Sequence, residues 1–341
     1  MFLSSLFSKK SSILGIDIGT ANIKIAQIQH KGNPILETYG IVNATYQLGG
    51  KNEDAAINEM AKILKALMAK ASVTTKRCVV SFPNNTVFTS VVELPQMTDK
   101  ELKTAVEFEA KKYVPLSLEE VDLSWSIVSN NNGLANNLKI LLTAVPKQVT
   151  TNYMKVFEMA GLEPEIGEIE ALALIRSLTG EVPQSCVIID IGAKSTGLNI
   201  IENGFLRLNR NLNIGGDTIT GKIAESLRVS RLRAEQFKKD FGVSSTTFIP
   251  DTIKPVLNII KNEVRQLLTI SQSQNFKVDK VLLVGGGANL PGIIGFFEDL
   301  KVKVELGDPL KTISYSEDLA PILKRYSLSL PVAIGLALHK E

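Results

Sequence analysis

The sequence predicts an α/β protein built of two related halves, each interrupted by an insert. Three observations predict it. Asp17-Ile18-Gly19 recurs as Asp190-Ile191-Gly192, each copy closing a buried apolar strand and preceding a glycine turn and a second strand. Around both copies, β-rich runs alternate with stretches of helical periodicity. Finally, 341 residues with 44% hydrophobic and 21% charged side chains describe a globular chain long enough for two moderate domains.

In chain order, Ile13–Ile18, Asn22–Ile28 and Ile35–Val42 read as strands, with turns at Gly19-Thr20 and Lys31–Pro34 too short for anything but antiparallel pairing. Asp54–Lys70 carries Ile57, Met60, Ile63, Leu64, Leu67 and Met68 at helical spacing, and CVVSF (78–82) returns as a buried strand. A separate module begins near Val87. Thr98 and Glu101 form a capping box, opening a helix that runs to about Tyr113 and stops before Pro115. Asp122–Ser129 and Leu138–Val145 read as a strand pair joined by the hairpin loop SNNNGLANN (129–137). Thr151–Ala160 reads as a helix ended by Gly161. From Cys186 the opening pattern repeats: Cys186–Ile191, Gly197–Glu202 and Phe205–Leu212 are strands, followed by Gly215-Gly216 and a long helical region to about Asn275. Lys280–Val284 is a buried strand entering Gly285-Gly286-Gly287, and Pro331–Leu338 a short apolar helix.

Composition and residue counts argue against several function classes. The net charge is +3 with no dense basic run, so composition gives nucleic acid no support. The only histidines are His30 and His339, too few for histidine catalysis or a zinc site. Cys78 and Cys186 each precede an apolar run and read as small buried residues of a reducing compartment. MFLSSLFSKKSS places its lysines after its apolar residues, the reverse of a secretory signal, and reads as a frayed leader. The uncharged stretch 281–297 holds three successive glycines and a proline, so it reads as strand, turn and helix start rather than a membrane span.

The chemistry lies in the repeated turns. A carboxylate at the end of a buried strand needs a cation or donors. Two such turns facing each other can grip phosphates through backbone amides, with Asp17 and Asp190 holding hydrated Mg²⁺. The alternative for either copy alone is a capped β-turn. The "GAKST" that follows Asp190-Ile191 suggests a P-loop, but that motif needs glycine where Ala193 and Ile188 stand, and a helix where a strand follows. Lys194 is expected as a partly exposed residue near the phosphates.

With these motifs in hand, the sequence resembles the actin-like ATPases. DIGTANIK (17–24) resembles their first phosphate motif, DIGAKSTG (190–197) the second, VGGGANLPGI (284–293) the adenosine motif, and IEALAL (169–174) and PVAIGLAL (331–338) the two connecting helices. The text VELPQMTDKELKTAVEFEAKKYVPLSLEEVDLSW (92–125) is similar to that of the PilM family of type IV pilus assembly. The resemblance implies a bilobal actin-like (ribonuclease H-like) ATPase fold with an FtsA-type 1C (SHS2-like) insert. Its subdomains would be 1A (1–86 and 162–184, with the C-terminal helix 327–341), 1C (87–161), 2A (185–215 and 276–326) and 2B (216–275).

The resemblance also implies the site. Gly19, Thr20, Ala21 and Asn22 form the first phosphate turn, Lys24 reaches the β-phosphate, and Gly192, Ser195 and Thr196 form the second turn. Asp17 and Asp190 are the magnesium carboxylates, and Glu170 orients attacking water. Gly215, Gly216, Glu235 and Lys238 enclose the nucleoside, while Gly285, Gly286, Gly287 and Asn289 line the adenosine side. Simpler roles stand beside these: Glu235 and Lys238 as a solvated i,i+3 pair, Gly285–Gly287 as a tight turn, and Glu170 as a first-turn helix charge. Ala193 and Lys194 where many relatives have glycine, and Gly197 where several have aspartate, imply slow ATP hydrolysis at most. The implied function is a cytoplasmic ATP- or ADP-binding adaptor at the inner face of the membrane. It would take the N-terminal cytoplasmic peptide of a PilN-type inner-membrane protein into a 1A/1C groove. Through that partner it would reach the pilus alignment complex, touching membrane only via partners and self-associating. The competing readings are an FtsA-like membrane-associated filament, which carries an amphipathic tail beyond the position where this sequence stops, and a small-molecule kinase, which needs an acceptor base.

Overall fold

The computed structural model describes residues 12–44, 48, 53–130, 137–180, 184–244, 249–274 and 276–340. The leader expected at 1–11 and the middle of the SNNNGLANN hairpin lie outside the described residues.

The opening apolar runs form β1 (Ser12–Ile18), β2 (Asn22–Lys31) and β3 (Asn33–Asn43), an antiparallel meander as the short turns require. Every residue of β1 is buried, which is why it reads as a continuous apolar run. Helix α1 (Glu53–Lys70) lays Ile57, Met60, Ala61, Leu64 and Leu67 into the core, and β4 (Arg77–Phe82) pairs parallel to β1. The chain then leaves this sheet. It builds β5 (Phe88–Pro95), α2 (Asp99–Tyr113), β6 (Val121–Asn130), β7 (Asn137–Pro146) and α3 (Lys147–Ala160). The order β5-β7-β6 makes a separate three-stranded sheet, whose core of Val92, Leu102, Val106, Ile140 and Leu142 is its own. The predicted capping box is present: Thr98 Oγ1 accepts from the Glu101 amide at 3.4 Å, and the Glu101 carboxylate accepts from the Thr98 amide at 2.9 Å.

The chain returns through β8 (Glu163–Ile169), parallel to β4, and α4 (Glu170–Thr179). The first sheet thus has the order β3-β2-β1-β4-β8. The second half repeats that topology with β9 (Cys186–Ile191), β10 (Thr196–Glu202) and β11 (Phe205–Leu212). After α5 (Gly216–Leu227), α6 (Arg231–Phe241) and α7 (Ile249–Ser273), it adds β12 (Lys280–Val284), α8 (Ile293–Phe297) and β13 (Lys303–Leu306). Its order is β11-β10-β9-β12-β13, with β12 and β13 parallel to β9 and β12 respectively. The chain closes through α9 (Ala320–Tyr326) and α10 (Pro331–Ala337).

Three local expectations change. Helix α3 begins at Lys147 rather than Thr151, directly after Pro146, whose φ of −56 suits a helix start. The long helical region is three helices, broken where Arg228 and Gly242 take positive φ. Strands β8 and β13 were not foreseen. Helices α4 and α10 pack together so closely that a Cβ at Gly335 would drive into the Ala173 carbonyl. Arg176 of α4 ties this junction, donating to both Glu168 oxygens and to the Gly335 carbonyl. Cys78 and Cys186 are fully buried, and burial pushes each thiol up to about 12. No described helix is long and apolar enough to cross a membrane.

Candidate functional site

The carboxyl ends of the parallel strands converge on one cleft. The residues at or just beyond those ends are Asp17 of β1, Pro83 and Asn84 after β4, Glu170 after β8, Asp190 of β9 and Gly285 after β12, and all of them line it. Ligands of open α/β sheets bind at this end because strand termini leave backbone groups and loops free there. The cleft measures about 790 Å³, the size of a small-ligand site.

The two aspartate turns are the same structure. The Gly19 amide donates to the Asn22 carbonyl at 3.0 Å, and the Gly192 amide to the Ser195 carbonyl at 2.9 Å. Each turn returns the chain as an antiparallel strand, so Lys24 stands in register with Asp17, and Gly197 with Asp190. A strand, not a helix, therefore follows GAKST, as the exclusion of a P-loop requires. The second turn is pinned from behind, where the Gly216 and Asp217 amides at the start of α5 donate to the Gly192 and Ala193 carbonyls at 3.0 and 2.8 Å.

Near the two turns, three carboxyl groups act on one partly buried ammonium. Lys24 Nζ lies 2.7 Å from Asp17 Oδ2, and Asp17 is 3% exposed. Burial works against the Lys24 ammonium, but the Asp17 charge and hydrogen bond, with Asp190 and Glu170 beyond, raise its pKa above the usual lysine value. Burial pushes the Asp190 carboxyl up to about 6, partly opposed by Lys24 and reinforced by Asp17. Burial, then the Asp17 and Asp190 charges, holds Glu170 well above the ordinary carboxylate range, with Lys24 opposing. Glu170 is also the first residue of α4, so the helix-start role and the cleft position coincide.

Gly19, Thr20, Ala21, Asn22, Lys24, Gly192, Ser195, Gly216, Glu235, Lys238, Gly285, Gly286, Gly287 and Asn289 all line the cleft with the three acids. Gly285 is required there: its φ is +84, and a Cβ would strike the Asp190 carboxylate. Glu235 and Lys238 do form the i,i+3 pair, at 2.6 Å, and also face the cleft. Burial acts to raise the Glu235 pKa, but hydrogen bonds from Lys238 and Thr220 and the charges of Lys238 and Lys239 hold it below the usual range.

Three expected residues do not reach the cleft. Thr196 is fully buried, and its hydroxyl donates to the Ile214 carbonyl at 2.7 Å, because the strand pairing turns that side chain inward. Gly215 lies behind the second turn, where a Cβ would meet the Ala193 carbonyl carbon at 2.7 Å; its task is close approach. Lys194 is exposed and does not line the cleft, although Ala193 and Ser195 beside it do. Conversely, Pro83, Asn84, Asn85, Arg325 and Tyr326 line the cleft and were not foreseen. The available signal for Asn84 was its place directly after the buried strand CVVSF.

Among the described residues, no group of three His, Cys, Asp or Glu side chains is placed to hold a metal ion. The donor set suits Mg²⁺ bound through one or two carboxylates and its own waters, since Asp190 and Glu170, both half-buried with raised pKa values, share the single Lys24 cation with Asp17.

Paired half-sheets of one topology, facing turns and packed connecting helices define an actin-like ATPase fold. The chain belongs to the family of the type IV pilus assembly protein PilM, whose model matches residues 15–341. Among solved structures it is similar to a PilM-PilN type IV pilus biogenesis complex, with a TM-score of 0.85, 25% identity and coverage of 96% of this chain and 97% of that one. MreB 5 of Spiroplasma citri bound to AMPPNP matches at a TM-score of 0.54 and 15% identity over 95% and 94% of the two chains. The cell division protein FtsA of Streptococcus pneumoniae is 25% identical over 89% of this chain and 76% of its own length.

Proposed function

We propose that this chain is an ATP-binding adaptor of type IV pilus assembly that takes the N-terminal cytoplasmic peptide of a PilN-type inner-membrane protein. The observation that carries the reading is the match over nearly the whole chain to the PilM-PilN complex. The peptide lies in the groove between subdomains 1A and 1C, as an extended segment held in a surface channel. ATP or ADP occupies the cleft between the two aspartate turns. The turn amides and Lys24 hold the phosphates, and Asp17 and Asp190 stand on the Mg²⁺ side. Glu235, Lys238, Asn289 and the Gly285–Gly287 turn surround the nucleoside. Mg²⁺ supplies charge neutralisation to the phosphate oxygens when bound.

Slow hydrolysis at most is the reading that Ala193, Lys194 and Gly197 of the second turn support. Burial, then the Asp17 and Asp190 charges, raises the Glu170 pKa, with Lys24 opposing. The role we assign to Glu170 is to orient water.

The test is binding of a synthetic PilN-type N-terminal peptide to the full chain when empty, Mg-ADP-loaded and Mg-ATP-loaded. Micromolar or tighter binding with an affinity that changes with nucleotide is expected, because nucleotide state biases lobe closure and so the groove. Absence of binding in all three states refutes the adaptor. Equal affinity in all three refutes the coupling.

A further inference from the structure

Asn84 follows β4 and opens the short turn 84–86 that leads into β5, the first strand of the insert. The turn is closed by two hydrogen bonds: the Thr86 amide and hydroxyl both donate to the Pro83 carbonyl, at 2.9 and 2.8 Å. The Asn84 side chain lines the acidic end of the cleft and, among the described residues, makes no hydrogen bond.

Its position follows from the broken symmetry of the two halves. Where the first half places Lys24 opposite Asp17, the second places Gly197 opposite Asp190. Asn84 Nδ2 fills the vacated space from the other half, 3.2 Å from where a Gly197 Cβ would stand. Asn199 converges on the same point at 3.9 Å, and its Nδ2 is buried with no hydrogen-bond partner. Asn199 pairs with Asn209, and Gly197 with Asn211, whose Oδ1 is likewise buried and unpartnered. This asparagine ladder lies on β10 and β11, and β11 packs against β5 of the insert. One amide donor thus joins the acidic end of the cleft, a polar seam between the halves and the root of the insert.

We infer that Asn84 reads the terminal phosphate of a bound nucleoside triphosphate, and that the turn 84–86 carries that reading into β5. The inference rests on the nucleotide reading above and assigns it a discriminating residue. The Asn84 amide donates to a γ-phosphate oxygen beside Asp190. A diphosphate offers no oxygen there, so the amide stays against Gly197 and the Asn199 seam.

The experiment is calorimetric titration of the full chain with Mg-ATP and Mg-ADP, with hydrogen exchange followed over residues 83–95. Asn84→Ala should weaken Mg-ATP about tenfold, the worth of one charge-assisted hydrogen bond, and leave Mg-ADP within twofold. Wild type should show an ATP-minus-ADP exchange difference over β5, and Asn84→Ala should erase it. Gly197→Ala is the second variant, because its methyl group displaces the Asn84 amide without removing it; it should shift the ATP/ADP ratio in the same direction. Wild type that binds both nucleotides while Asn84→Ala keeps the full ATP/ADP ratio overturns Asn84 as the reader and leaves the nucleotide site standing. A lost ratio with an unchanged exchange difference overturns the transmission. Wild type that binds neither nucleotide overturns the site reading and this inference together.

Discussion

Lys24→Met is the most decisive perturbation of the proposed site. It keeps a chain of similar length and removes the one cation among Asp17, Asp190 and Glu170. In the empty protein it strands Asp17, which is 3% exposed, without its 2.7 Å partner. Breaking a buried pair costs about 3–5 kcal/mol, and the 18% exposure of the Lys24 side chain puts this case at the lower end, near 3 kcal/mol. Because the pKa of Lys24 is raised, its charge contributes fully at neutral pH, and that stability disappears only above the ordinary lysine range. In the ligated protein the loss is larger. A charged donor to a phosphate is worth about 1.5–3 kcal/mol, or roughly a hundredfold in affinity at the upper end. Nucleotide at about 100 times Kd stabilises a protein by about 2.7 kcal/mol, and after a hundredfold loss by only about 0.4 kcal/mol. The assay is thermal unfolding with and without Mg-ATP, using Lys194→Ala as the companion, since Lys194 faces solvent. Lys24→Met should lose most of the ligand-induced shift, and Lys194→Ala none. A Lys24→Met protein that keeps the whole Mg-ATP shift refutes the phosphate role of this cleft.

Other consequences follow from the same electrostatics and packing. The Asp190 carboxyl, raised to about 6, stabilises the empty fold below its ordinary range near 3.8 and loses that contribution as pH rises through 6, so Asp190→Asn should raise the melting temperature of the empty protein at pH 7.5. In wild type, Mg-ATP affinity should rise from pH 5 to pH 7 as Asp190 ionises, and Asp190→Asn should flatten that rise in calorimetric titrations. Arg176→Met removes the bidentate partner of Glu168, whose pKa burial raises to about 7 against the pull of Arg176; it should cost about 3 kcal/mol in denaturant unfolding, with a larger deficit above pH 7 than below pH 5. Gly335→Ala should cost about 3 kcal/mol by prising α10 from the Ala173 carbonyl, measured as a lowered melting temperature.

The parts that were legible in the sequence were those whose cause is local. Strands β1 and β9 are buried on both faces and so announce themselves as apolar runs, and the turns after them need aspartate and glycine whatever lies across the cleft. Thr98 and Glu101 satisfy each other's amides within four residues, so the capping box is visible without a fold. β8 is the opposite case. Its sequence EPEIGEI carries Glu163, Glu165 and Glu168, and it becomes a strand because β4 offers it a parallel edge. Glu165 is matched by Arg77 of β4 and Glu168 by Arg176 of α4, partners that sequence distance conceals. The site divides in the same way. Asp17 and Asp190 follow from the repeated motif and Lys24 from the family resemblance, whereas Asn84, Arg325 and Tyr326 reach the cleft only through the sheet order and the return of the chain after β13. Thr196 was misplaced because a phosphate motif read as text does not say which face of β10 each residue takes.

The repetition that organises the chain matters most where it fails. Matching turns, matching registers and matching sheet orders would predict a site with one ion pair per half. Instead Lys24 neutralises Asp17 on one side, and Gly197 leaves Asp190 bare on the other. Burial then drives the Asp190 and Glu170 pKa values up, since neither acid has a cation of its own. A symmetric pair of lysines would have closed the cleft electrostatically and left nothing for a metal to do. The asymmetry leaves a deficit of positive charge beside Asp190, which a divalent cation arriving with a triphosphate would fill. It also leaves a space of side-chain size, which Asn84 enters from the strand that leads to the insert. The same missing lysine thus motivates both the Mg²⁺ side of the proposed site and the route by which its occupancy would reach the rest of the protein.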